Sequence, residues 1–101
     1  MFNLMDFIPE DKIESFCCRN HIIRMSLFGS ALRDELTDDS DIDILVEFDD
    51  NHIPGLFDVE RMEMELSEMA GRKIDLRTPG DLSRYFRDEV VREAQALYEK
   101  A

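Results

Sequence analysis

The sequence predicts an α/β fold, a small mixed β-sheet flanked by helices. Three observations carry that expectation. The runs IIRMSLF (22–28), DIDILVEF (41–48) and RKIDLR (72–77) are short, rich in branched and apolar residues and bounded by turn signals, as strands are. The segments around them repeat apolar residues at helical spacing. The chain has 101 residues, 44% of them hydrophobic, enough for one small domain with a single core, expected to span residues 1–101 without a linker.

The elements follow in order. Pro9 suits the first turn of a helix, and Glu10 and Asp11 come next, where the helix dipole favours acids. Ile13, Phe16 and Cys17, with His21 at the end, continue the apolar stripe, and the helix is expected to stop near Asn20. Residues 22–28 form the first strand, broken by Gly29-Ser30. SALRDEL reads as a short helix with Ser30 at its N-cap, and TDDS (37–40) as a loop. Residues 41–48 are the second strand. Asp49-Asp50-Asn51 and Pro54-Gly55 mark a turn. Leu56, Val59, Met62, Leu66, Met69 and Ala70 then share one face of a helix that Gly71 ends, with Met62 and Met69 filling the core. Residues 72–77 are the third strand, stopped by Thr78-Pro79-Gly80-Asp81. From Leu82 to Tyr98 the sequence predicts helix with a bend near Arg87-Asp88. Phe86, Val90, Ala94, Leu97 and Tyr98 form its apolar stripe, part of which could serve as an interface.

Composition narrows the function. The formal net charge of −12 disfavours binding to nucleic acid through its phosphates, and suits cations or a basic protein partner. No apolar run approaches the ~18 residues of a membrane span. The N-terminus MFNLMDFIPEDK has no basic flank and carries Asp6 within its apolar stretch, so no signal peptide is expected. Cys17 and Cys18 are adjacent, which gives no zinc pattern and would strain a disulfide, so they read as reduced thiols of a cytoplasmic protein.

The chemistry concentrates in the strands. Side chains alternate along a strand, so Ile42, Ile44, Val46 and Phe48 face a core while Asp41, Asp43, Leu45 and Glu47 face the other way. In the third strand Ile74 and Leu76 face the core and Lys73, Asp75 and Arg77 the other side. If these strands are neighbours, Asp75 joins Asp41 and Asp43. Three carboxylates on one sheet face repel one another, and a divalent cation removes that cost. All-oxygen ligands favour Mg2+ or Mn2+ over zinc, and Mg2+ prefers a few carboxylates together with substrate phosphates. Such a site asks for a nucleoside triphosphate, and two ions could activate the attacking oxygen and stabilise the leaving pyrophosphate. Gly29-Ser30 lies where a strand feeds a helix N-terminus, whose free N–H groups bind phosphate oxygens. Gly29 permits close approach, the Ser30 hydroxyl can donate, and Arg33, one turn on, could reach the triphosphate or pair with nearby acids.

Gly29-Ser30, ten residues, then Asp41-Ile42-Asp43 resembles the G-S-x10-D-x-D signature of the DNA polymerase β-type nucleotidyltransferase superfamily. Phe28, Arg33 and Ser40 strengthen the match, and Asp75 falls where that superfamily places its third carboxylate. The short length and the tail YFRDEVVREAQALYEK resemble the minimal nucleotidyltransferase (MNT) group, many of whose members are antitoxins paired with HEPN-domain ribonuclease toxins. The resemblance implies a polymerase β-like palm and transfer of AMP from ATP to a toxin tyrosine. It implies that Gly29 and Ser30 bind the triphosphate, that Asp41, Asp43 and Asp75 hold the metals, and that Asp75 is the base toward the acceptor. Two other readings stand beside it: an acidic antitoxin that masks a basic toxin by binding alone, and a nucleotidyltransferase acting on a small molecule such as an aminoglycoside. The larger members' acceptor domain has no counterpart here, so a macromolecular acceptor or a second subunit in a homo- or hetero-oligomer is expected to complete the cleft. His21 and His52 read as isolated histidines, and Lys73 and Arg77 either neutralise the acids beside them or touch ATP phosphates.

Overall fold

A computed structural model of the chain describes residues 4–29 and 41–100. The expected short helix after Gly29, together with Ser30 and Arg33, lies outside the described residues. Within them the order is a 3-10 turn (Leu4–Asp6), α1 (Glu10–Arg19), β1 (Ile22–Phe28), β2 (Ile42–Phe48), α2 (Leu56–Ala70), β3 (Ile74–Arg77), a 3-10 turn (Pro79–Asp81), α3 (Arg87–Glu93) and β4 (Gln95–Glu99).

The strands form one mixed sheet in the order β3-β2-β1-β4. β1 is antiparallel to both β2 and β4, while β2 and β3 are parallel, as strands joined by a crossover helix must be. β1 and β2 contribute Met25, Leu27, Ile44 and Val46 to the core, and α1 and α2 cover it with Ile13, Phe16, Met62 and Leu66. An irregularity between Ile22 and Arg24 shifts the register by one residue, so that Ile22 and Met25 are both buried despite their odd spacing. The alternation in β2 is as the sequence predicts, with Ile42, Ile44, Val46 and Phe48 all in the core. Leu45 is buried as well, on the opposite face beside its register partner Ser26.

α2 begins after Gly55, whose N–H donates to the Asp58 carboxylate at 3.3 Å, and ends at Gly71, which adopts the left-handed conformation at φ +71°. Leu56 is not on the core stripe; it stands 73% exposed. It lies one residue inside the helix, before the turn at which α2 meets the sheet.

The expected helix over Leu82–Tyr98 is corrected. Only Arg87–Glu93 is helical, and Gln95–Glu99 is a strand on the free edge of β1. The apolar spacing from Phe86 to Tyr98 satisfies a helix on its own. Tertiary context overrides it, because β1 has a row of unpaired backbone groups on that side and β4 satisfies them. Arg24 bridges the new pairing, with Nε 3.5 Å from Glu99 and 3.8 Å from Glu47 on β2. Leu97 and Tyr98 of the expected stripe pack against the core, whereas Phe86 remains 57% exposed.

Candidate active site

Asp43 is the centre of the candidate site. It stands in register with Asp75 on β3 to one side and with Phe28 on β1 to the other. Neighbouring strands lie about 4.8 Å apart, so the two carboxylates meet across the sheet without any long-range loop to position them. Asp41 lies just before β2, two residues from Asp43 and so on the same face. Gly29 follows Phe28 and turns the chain at φ +75°. A Cβ on Gly29 would lie 2.5 Å from Asp43 Oδ2. The glycine suits the backbone angle, and any Cβ there would push the Asp43 carboxylate aside. The Gly29 turn and Asp43 of the D-x-D strand thus lie side by side.

The electrostatics match the crowding. Partial burial, reinforced by the charges of Asp75 and Asp41, raises the Asp43 carboxyl above the usual carboxylate range, against a smaller opposing effect of Arg77. Its neighbours are compensated by cations on β3 and just before it. Arg77 Nη2 donates to Asp75 Oδ2 at 3.1 Å, and Lys73 Nζ lies 3.7 Å from Asp41 Oδ2. Lys73 and Arg77 thus stand in ion pairs with the acids beside them.

Among the described residues no three acid, histidine or cysteine side chains are gathered closely enough to hold a metal ion as they stand. The donor set nevertheless fits a hard divalent cation. It is all oxygen, it lies on adjacent strands, and its central member carries the repulsion a cation would relieve.

Two functional positions escape the sequence reading. β3 is a sheet edge, and its outward backbone N–H groups need partners. Ser67 Oγ accepts from Ile74 N–H at 2.9 Å, and the Glu63 carboxylate accepts from Leu76 N–H at 2.9 Å. The two bonds flank Asp75 and hold its strand against α2. The available signal was a polar pair at i, i+4 on the rim of the apolar stripe of α2.

The remaining candidates lie elsewhere. His21 and His52 stack with ring centroids 3.8 Å apart, at the end of β1 and β2 opposite the carboxylates. Cys17 is buried, its thiol pushed up to about 12 by desolvation, while Cys18 is exposed with its sulfur 3.7 Å from the Tyr98 hydroxyl. No helix among the described residues is long and apolar enough to cross a membrane.

Comparison with known proteins follows the same lines. The nucleotidyltransferase domain family matches residues 10–97. MJ0435 of Methanocaldococcus jannaschii, named as a protein adenylyltransferase, is 36% identical over 83 residues, covering 82% of this chain and 87% of the relative. The protein adenylyltransferase MntA of Thermococcus cleftensis is 36% identical over 69 residues, 68% of each chain. Among solved structures, a minimal nucleotidyltransferase superposes with a TM-score of 0.70 at 33% identity, covering 84% of this chain and 85% of that one. Two toxin–antitoxin structures share the fold at lower identity. One, with AMP-PNP, has a TM-score of 0.74 at 23% identity, covering 92% of this chain and 75% of that one. The other, a tri-AMPylated Shewanella oneidensis HEPN toxin in complex with its MNT antitoxin, has a TM-score of 0.65 at 22% identity, covering 90% and 70%. The resemblance read from Gly29, Asp41, Asp43 and Asp75 thus extends over nearly the whole chain, which belongs to the nucleotidyltransferase domain family, in its minimal form.

Proposed function

We propose that this nucleotidyltransferase transfers AMP from ATP to a tyrosine hydroxyl of a HEPN-type toxin and so neutralises it. The observation that carries the reading is the packing of Asp43 between Asp75 and the Gly29 turn, where a Cβ at position 29 would displace the Asp43 carboxylate. The relatives' names support adenylyl as the group transferred and a protein as its acceptor.

Asp41, Asp43 and Asp75 would hold Mg2+, as two ions, with Mn2+ as a substitute. When bound, the metal supplies positive charge that neutralises the triphosphate and the developing charge on the attacking and leaving oxygens. The chain's own residues do the rest. Gly29, together with Ser30 and Arg33 on the strength of the sequence resemblance, would bind the phosphate oxygens of the triphosphate. Asp75 accepts the proton of the acceptor tyrosine as its oxygen bonds to the α-phosphorus and the bond to pyrophosphate breaks. Arg77, 3.1 Å from Asp75, orients that carboxylate, and the bonds from Glu63 and Ser67 keep its strand in place. A tyrosine hydroxyl has a pKa of about 10 and so needs such a base at neutral pH.

The test is to incubate the HEPN partner with this protein, ATP and Mg2+ and to read the partner's intact mass. Wild type adds AMP, and Asp75→Ala binds the partner but adds little or none. A partner that regains activity on separation, with no adduct, overturns the proposal in favour of masking by binding. A partner left unmodified while an aminoglycoside is adenylylated overturns it in favour of a small acceptor.

A further inference from the structure

We propose that the outer face of α2 is a second binding surface, built for a basic amphipathic helix of a partner protein. α2 buries Met62, Leu66 and Ala70 against the sheet. Phe57 and Met64 lie one heptad apart on the opposite side and are 84% and 68% exposed. Both are large apolar side chains left uncovered on one stripe of the helix. Between and beyond them on the same stripe stand Glu60 and Glu68, and these four side chains, with Arg19, Asn20, Arg61 and Glu65, line a groove of about 490 Å3.

The charge on this face selects the occupant. α2 carries Asp58, Glu60, Glu63, Glu65 and Glu68 against the single basic residue Arg61. Arg61 is engaged by Asp58 at 3.4 Å, and Glu65 by Arg19 at 3.1 Å. Glu60 and Glu68 have no ion-pair partner among the described residues, and both are exposed. A second copy of this chain would bring the same acidic helix and the same net charge of −12 to the contact, so self-association through this face is opposed. A helix with leucine-like residues on one stripe and lysine or arginine beside it satisfies both features. Its apolar side chains cover Phe57 and Met64, and its cations meet Glu60 and Glu68.

The location gives the surface its use. α1 and α2 cover one face of the sheet, and Asp43 and Asp75 project from the other. A partner held on α2 leaves the carboxylates open to nucleotide and acceptor. The inference does not depend on whether the chain transfers AMP, since it concerns holding a partner.

The experiment uses the whole protein and a fluorescently labelled synthetic helix of leucine and lysine, with a serine-for-leucine version of equal charge as control. Anisotropy should show the leucine–lysine helix binding at least about tenfold more tightly than its control. Phe57→Ser with Met64→Ser leaves the net charge unchanged and should weaken binding about tenfold or more, while the thermal midpoint stays near wild type because both side chains are exposed. Glu60→Gln with Glu68→Gln should weaken binding and flatten its salt dependence. Amide shifts in the bound protein should cluster on α2. Equal binding by wild type and the serine pair, or shifts clustered at Asp41 and Asp43, overturns the proposal, as that would be diffuse attraction to acids. Sedimentation showing a wild-type dimer that the serine pair dissolves overturns it in favour of a second copy.

Discussion

Gly29→Ala and Gly71→Ala form a matched pair that isolates the contact at the heart of the site. Both glycines occupy the left-handed region, at φ +75° and +71°. Placing a Cβ there costs about 1–2 kcal/mol at either position. The surroundings differ. A Cβ at Gly71 meets nothing within 4 Å, whereas at Gly29 it meets Asp43 Oδ2 at 2.5 Å. Ordinary contact begins near 3.4 Å, so the Asp43 carboxylate has to retreat by about 0.9 Å. A misplacement of about 1 Å in a reacting constellation costs about a hundredfold in rate. Both variants should therefore lose stability to a similar extent, about 4–8 °C in Tm for each kcal/mol in a domain of this size. Only Gly29→Ala should lose about a hundredfold in AMP transfer. Thermal melting by circular dichroism and timed intact-mass measurement of the HEPN partner read the two quantities on the same samples. Equal transfer rates for the two variants would refute the steric coupling between the turn and Asp43.

The electrostatics, the sheet edge and the thiols yield three more expectations. Because the folded protein raises the Asp43 carboxyl above its unfolded value of 3.8, its charged form is disfavoured in the fold; the contribution of Asp43 to the stability of the metal-free protein should fall as pH rises through that raised value, and Asp43→Asn should remove that contribution, stabilise the metal-free protein relative to wild type at pH 7 and abolish transfer, as urea titrations of both proteins across pH 3–7 and the mass assay will show. A difference in stability between Asp43→Asn and wild type that stays constant over the same range would count against the crowding described. Glu63→Ala leaves the Leu76 N–H at the sheet edge without its partner and should cost about 1 kcal/mol, less than a fully buried charged hydrogen bond because Glu63 is half-exposed, with faster hydrogen exchange at Leu76; Glu63→Gln, which keeps an acceptor oxygen, should recover most of it. Burial holds the Cys17 thiol near 12 while Cys18 is exposed, so a thiol reagent at pH 8 should modify Cys18 alone in the native protein and both cysteines in guanidinium.

Elements whose signals are local were legible in the chain alone. Alternation along residues 41–48 assigned Ile42, Ile44, Val46 and Phe48 to the core and Asp41 and Asp43 to the opposite face, because a strand's period of two allows no other partition once one face is buried. The stripe through Met62, Leu66 and Ala70 and the stop at Gly71 were legible for the same reason, as was the Gly29 turn. Only the tertiary structure decided what depends on neighbours distant in the chain. The parallel register that sets Asp43 beside Asp75 is a property of two strands and the helix between them. The anchoring of β3 by Glu63 and Ser67 becomes visible only when that strand is known to be an edge. Gln95–Glu99 is a strand because β1 offers an open edge there, although its apolar spacing equally suits a helix. Local periodicity reports what a segment can bury, whereas the pairing of backbone groups is settled by which other segments arrive beside it.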